Sequence, residues 1–147
     1  MIDGDLVIVH AAVRDEGTTS KIVPLGFPAV ASVEIVESLR AGTAARGVRV
    51  AEGIVVTSDI FYPYPVLGDD LAMWARAGCV AVEMECSTLF VVAAMHGIQT
   101  GAILTVDGNP LAEHTGDMSD YDPHRPIVDD AVAAMLEIAL DTVAAPW

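Results

Sequence analysis

Val80-Ala81-Val82-Glu83-Met84-Glu85-Cys86, running on into Ser87-Thr88-Leu89-Phe90-Val91-Val92-Ala93-Ala94-Met95, sets two carboxylates inside an otherwise apolar stretch. An ionised carboxylate in a dry interior is costly unless something pairs with it. If Val80 to Glu85 end a strand, side chains two apart share a face, so Glu83 and Glu85 point one way and Met84 the other. The helix-like run from Ser87 to Met95 starts at once, and a strand end feeding a helix is where open α/β sheets place their ligands. A pair of solvated glutamates at a sheet edge is the plainer alternative. The apolar flanks favour a polar ligand held by these groups, since carboxylates are rarely buried unless partnered.

Outward from this segment the chain alternates. Asp5 to Ala12 (DLVIVHAA) is a β-branched run of the kind that forms a buried strand. Arg14 to Thr19 reads as a polar loop, and the two prolines of Pro24 to Pro28 exclude regular structure there. From Ser32, with Val33, Val36 and Leu39 at helical spacing, a helix is expected to run to about Gly47, with Ser32 as its N-cap and Glu34 in its first turn. Val48 to Thr57 is the next strand, and Gly53 within it suggests a bulge. A loop rich in Tyr and Pro spans Asp59 to Asp70, and a short helix follows from Leu71 to Ala77. After the carboxylate strand and its helix come a strand over Gln99 to Val106, a polar loop from Asp107 to Asp122, and a closing helix from Pro126 to about Val143. Proline suits a helix start because its missing N–H is not needed there. Four strand–helix alternations predict one layered α/β domain over residues 1–147.

Composition narrows the class. Seven Lys and Arg against 21 Asp and Glu give a net charge of −14, a field that repels nucleic acid and anionic membranes. Hydrophobic residues make up 53% of the chain, yet no apolar run reaches the roughly 18 residues that span a bilayer, so no membrane partner is expected. The acidic start, Met1-Ile2-Asp3-Gly4-Asp5, lacks a basic secretory leader, which predicts a cytoplasmic protein. Cys79 and Cys86 form neither a disulfide framework nor a metal-site spacing and read as buried, reduced residues. His114, Asp117, Asp120, Asp122 and His124 are dense in metal-ligating groups, but their spacing fits no standard site, so a solvated acidic loop is expected and no metal. His10 and His96 sit in apolar contexts and read as structural.

Four stretches, in this order, resemble the purine and uridine nucleoside phosphorylase family, closest to its uridine phosphorylase branch. Ala11-Ala12-Val13-Arg14-Asp15-Glu16-Gly17-Thr18 resembles the loop after the family's mid-sheet strand. Phe27-Pro28-Ala29-Val30-Ala31 looks like a uridine phosphorylase segment. Ser58-Asp59-Ile60-Phe61-Tyr62 resembles the loop whose aromatic stacks on the base, and Val82-Glu83-Met84-Glu85 looks like the ribose-binding signature. The resemblance implies an α/β sandwich around a mixed, partly closed central sheet flanked by helices. It also implies phosphorolysis of a nucleoside to free base and ribose 1-phosphate, uridine-type favoured over purine, with phosphate as co-substrate and no cofactor. Homo-oligomers, dimers or hexamers, are implied as well.

The resemblance assigns roles. Glu85 would accept hydrogen bonds from the ribose hydroxyls, Met84 would pack against the sugar, and Glu83 would support that geometry. Phe61 would stack on the base, a buried core aromatic being its alternative. Arg14 would reach the active site or a neighbouring subunit, against the simpler account of a loop salt bridge with Asp15 or Glu16. Asp107 stands one position early relative to the aspartate by which purine-type members hold the base; a carboxylate there could act as a general acid, or could simply turn with Gly108. Tyr62-Pro63-Tyr64-Pro65-Val66-Leu67 lacks the Gln and Arg that read uracil in uridine phosphorylases.

The family's N-terminal third, with its glycine-rich phosphate loop, has no counterpart before residue 13, so the chain is expected to be an N-terminally truncated form of the domain. Two rival readings follow from the same residues. One is a nucleosidase of this fold using water in place of phosphate. The other is a non-catalytic remnant or half-subunit completed by an N-terminal partner chain.

Overall fold

The computed structural model describes residues 1–61, 70–111 and 122–145. Its elements follow the expected alternation: β1 (Leu6–Asp15), a 3-10 turn (Thr19–Lys21), α1 (Val33–Arg46), β2 (Val50–Ser58), α2 (Asp70–Arg76), β3 (Ala81–Glu83), α3 (Cys86–Met95), β4 (Ala102–Thr105) and α4 (Pro126–Ala144). The strands form one sheet in the order β3-β2-β1-β4. Strands β2 and β3 pair in parallel, with Val55 opposite Ala81 and Thr57 opposite Glu83, while Ala11 meets Val30 in an isolated antiparallel bridge. The architecture is thus a mixed sheet with flanking helices, as expected. The carboxylate strand is shorter than its sequence suggests: it stops at Glu83, and Glu85 is already the N-cap of α3. Glu83 and Glu85 therefore do not share a strand face.

Residues pack as two compact units, each assembled from separated segments. In the first (Met1–Ile8, Glu37–Ala51, Ile103–Trp147), Leu6, Val7 and Ile8 open β1 as an apolar run buried on both faces, the pattern of a central strand. Helices α1 and α4 meet at successive levels. Ser38 Oγ donates to Thr142 Oγ1 at 3.3 Å, Gly42 lies against Ile138, and Arg46 reaches Asp141 at 2.6 Å. A Cβ at Gly42 would stand 3.0 Å from Ile138 Cγ2, so the glycine lets a fully buried isoleucine sit against the α1 backbone. Burying such a side chain contributes about 1.5–3 kcal/mol.

The second unit (Val9–Val36, Glu52–Ala102) buries Val9, Val55, Val56, Phe90 and Val91. Helix α3 ends at Gly97, whose φ of +64° is the left-handed conformation that glycine adopts without a Cβ penalty. There Gly97 N–H bonds Ala94 O and Ile98 N–H bonds Ala93 O, closing the helix end in a Schellman pair. Gly53 does not mark a bulge, because β2 runs unbroken through it. A Cβ there would stand 2.8 Å from Val80 Cγ1, so close approach of the chain is its reason. Ser32 does not cap α1 with its side chain either. Its hydroxyl accepts the Thr100 N–H at 3.0 Å, and Ser32 N–H returns to Thr100 O at 2.7 Å.

Three residues read from apolar surroundings are more exposed than expected. His10 is exposed and pairs with Glu52 at 2.9 Å, so it sits in a polar setting on the surface. His96 caps the exposed end of α3, and Cys79 is only half-buried. Cys86 is buried, and desolvation, helped by the Glu83 carboxylate, drives its thiol pKa far upward. Among the described residues no helix is long and apolar enough to cross a membrane.

Candidate functional site

The carboxyl ends of β2 and β3 lie side by side, and the loop after β1 is tied to both chain segments. Gly17 N–H donates to Asp59 Oδ2 at 2.8 Å, joining that loop to the segment that leads into Phe61. Ligands of open α/β sheets bind at such strand ends. Met84 and Glu85 are exposed here, as is Phe61, at 41% for Met84 and 48% for Phe61. A buried core aromatic is therefore excluded for Phe61. Glu85 is the N-cap of α3, yet its side chain makes no cap hydrogen bond, and among the described residues its carboxylate has no partner.

Glu83 is arranged differently. It is half-buried, and its Oε2 accepts the N–H groups of Glu85 at 2.7 Å and Cys86 at 2.6 Å. Its Oε1 accepts the Thr57 hydroxyl at 2.5 Å. Thr57 Oγ1 in turn accepts the Ser87 N–H at 2.9 Å. The opening N–H groups of α3, which have no partner within a helix, are thus satisfied by side chains from β2 and β3. Glu83 is committed internally while Glu85 faces out, a division of labour between two residues that the sequence treats alike.

Arg14 does not form the expected salt bridge with Asp15 or Glu16. Its Nη1 donates to the carbonyls of Pro24 (2.8 Å), Leu25 (3.1 Å) and Phe27 (2.6 Å), its Nη2 to Val23 O (3.3 Å), and its Nε to Thr19 Oγ1 (2.9 Å). The guanidinium fork suits such multiple donation, and it holds the 23–27 loop instead of a carboxylate. Asp107 lies just beyond β4 in the first unit, half-buried. Its backbone carbonyl accepts Arg125 Nη2 at 2.6 Å, while Arg125 Nη1 pairs with Asp3 at 2.6 Å. Of the loop cluster, Asp122 and His124 are exposed, and His114, Asp117 and Asp120 lie outside the described residues, as does Tyr62 to Leu67.

Sequence reasoning overlooked Glu16, Thr19, Thr57 and Ser87. All four are buried, the two threonines and the serine completely. Glu16 Oε2 accepts Thr18 N–H (2.6 Å) and Thr19 N–H (2.8 Å), and its Oε1 accepts the hydroxyls of Thr19 and of Ser87, the latter at 3.0 Å. One signal was available: an acid followed by hydroxyl residues two and three on favours this local turn. The bond to Ser87, 71 residues away, had no such signal.

Burial raises the Glu16 carboxyl pKa, but the four hydrogen bonds, led by the Thr19 hydroxyl, outweigh it and hold the group below the usual glutamate value. A carboxylate depressed in the folded state stabilises above its unfolded pKa, about 4.3, and loses that contribution as pH falls through the depressed folded value. The difference in Tm between the native chain and Glu16→Gln should therefore be largest near neutral pH and shrink below about pH 4. A constant difference from pH 7 to pH 3 in thermal melts would refute this account of Glu16.

Fold and geometry together define an α/β protein whose candidate site lies at the carboxyl ends of neighbouring strands. The phosphorylase superfamily model matches residues 3–144, and the chain belongs to that superfamily. It is 33% identical over 141 residues to the purine nucleoside phosphorylase of Plasmodium vivax, covering 96% of this chain and 56% of that protein. It is 34% identical over 115 residues to the uridine phosphorylase of Haemophilus influenzae, covering 70% and 46%. The crystal structure of purine nucleoside phosphorylase from Toxoplasma gondii in complex with immucillin-H superposes with a TM-score of 0.87 at 34% identity, covering 98% of this chain and 56% of that one. The chain thus spans little more than half the length of these relatives, and it is similar to both purine and uridine enzymes.

Proposed function

We propose that this chain carries the sugar-binding part of a nucleoside phosphorylase site. The observation that carries the reading is the exposed Glu85 carboxylate, which has no partner among the described residues, beside exposed Met84 at the ends of parallel β2 and β3. Glu85 accepts hydrogen bonds from the ribose hydroxyls, Met84 packs on the sugar, Glu83 supports them from within, and Phe61 stacks on the base. In the reaction a phosphate oxygen bonds to the anomeric carbon as the bond to the base nitrogen breaks. The electron pair leaves with the base, which takes up a proton. Charge builds on the sugar through an oxocarbenium-like state, where hydrogen bonds to the 2-hydroxyl strengthen. Asp107 is the proposed acid on the base side. No cofactor besides phosphate is proposed, and assembly into dimers or hexamers is part of the same reading.

The purine reading draws on Asp107, on the missing Gln and Arg after Phe61, and on the similarity to the Plasmodium and Toxoplasma purine nucleoside phosphorylases. The uridine reading draws on Phe27 to Ala31. We favour a purine nucleoside. The test follows base release from inosine and from uridine, with and without phosphate, by this chain alone and mixed with an N-terminal segment of a purine nucleoside phosphorylase. Phosphate-dependent release from inosine is expected. Equal turnover without phosphate would favour the nucleosidase, and no release under any condition would leave a non-catalytic half.

A further inference from the structure

At an N-cap, a short polar side chain such as aspartate accepts from the N–H of the second or third helical residue. Glu85 occupies that position at the start of α3 and does not. Of the N–H groups around it, those of Glu85 and Cys86 are held by Glu83, and that of Ser87, one of the two a cap side chain takes, is held by Thr57. Thr57 is fixed by donating to Glu83, and Ser87 by donating its hydroxyl to Glu16. Glu16 is anchored by Thr18 and Thr19, and Thr19 by Arg14. This relay runs through four side chains that are nearly or wholly removed from water, where hydrogen bonds are strong and their loss is costly.

We propose that Glu16, Ser87 and Thr57 are positioning residues that, with Glu83, occupy the Cys86 and Ser87 N–H groups at the start of α3 and so keep the Glu85 carboxylate turned outward for the sugar. This rests on the ribose reading of Glu85. None of the three touches the ligand. Their effect is to remove the competing intramolecular use of Glu85, so that no cap bond need break before a sugar hydroxyl binds. Preorganisation of this kind raises affinity by lowering the ordering cost.

The test uses the full chain and Thr57→Val, which keeps the shape and deletes the hydroxyl, with Thr57→Ser as the conservative rescue. Calorimetry measures inosine affinity, and amide hydrogen exchange reads residues 85 to 87 against the α4 core. Thr57→Val should weaken inosine binding about tenfold, the worth of one lost hydrogen bond, and speed exchange at Cys86 and Ser87 while α4 amides stay protected. Thr57→Ser should restore both. In a Glu85→Gln background Thr57→Val should cost nothing further in affinity, because its effect passes through Glu85. Equal losses in both backgrounds, or none in either, overturn the positioning role. Should the native chain bind no nucleoside while residues 85 to 87 still respond to Thr57→Val, the ribose reading falls, and the positioning role toward a sugar falls with it. If Thr57→Val does not fold, Glu16→Gln interrogates the relay from its other end by the same readouts.

Discussion

Glu85→Gln is expected to lower nucleoside affinity about a hundredfold and to leave Tm within about 1 °C of the native chain, since changes at unengaged surface sites cost under about 0.5 kcal/mol. Two hydrogen bonds from sugar hydroxyls to a carboxylate are charge-assisted, each worth about 1.5–3 kcal/mol. Glutamine keeps one carbonyl acceptor and loses the charge, so about 3 kcal/mol is lost, or about a hundredfold in Kd. Stability should not follow, because Glu85 is exposed and its side chain caps nothing. Isothermal calorimetry with inosine, paired with a thermal melt, separates the two effects. An affinity unchanged within twofold would remove Glu85 from the ligand site.

Phe90→Ala should have the largest effect on stability. Phe90 is 0% exposed and heads the fully buried side chains by volume. It sits on the inward face of α3 with Cys86, Ser87, Val91 and Ala93, one turn beyond the polar relay. Truncating a buried phenylalanine to alanine removes its transfer energy and leaves a cavity, costing about 3–5 kcal/mol. Against a total stability of about 5–15 kcal/mol, that is about a fifth or more of what holds a typical domain folded. The expected fall in Tm is about 10 °C or more at this chain length. Leu89→Ala, one residue away but 47% exposed, is the control and should move Tm by no more than a few degrees. A similar fall for both would show that α3 does not pack by the face described.

The order of elements was legible because each rests on local pattern. β1 announces itself by four consecutive apolar positions from Leu6, and α4 by Pro126 at its first turn. The ends of elements were less legible. Nothing in Glu83-Met84-Glu85 shows that the strand stops at its first residue or that the Glu83 side chain is taken up, because its partner is Thr57 on another strand. Two chemically identical carboxylates two positions apart take opposite roles for the same reason. Arg14 shows the complementary limit: adjacent acids suggest an ion pair, but the 23–27 loop folds its carbonyls onto the guanidinium from about ten residues away. The relay through Glu16 and Ser87 joins residues too far apart in sequence for any local pattern to mark. Similarity to a family carried the role of Glu85; the geometry separates it from Glu83.

Arg14 also bears on which sequence changes this protein can absorb. The 23–27 loop takes its shape from one cation outside it, through four backbone carbonyls that every amino acid possesses. Its own side chains matter less, and Leu25 at its tip is 77% exposed. Evolution can therefore rewrite the loop's surface, and with it whatever the loop meets, while a single codon keeps its path. Lysine, a point charge without the fork, does not substitute for that codon. Randomising residues 25 and 26 with Arg14 kept or changed to Lys would expose the asymmetry as a difference in how many folded variants survive.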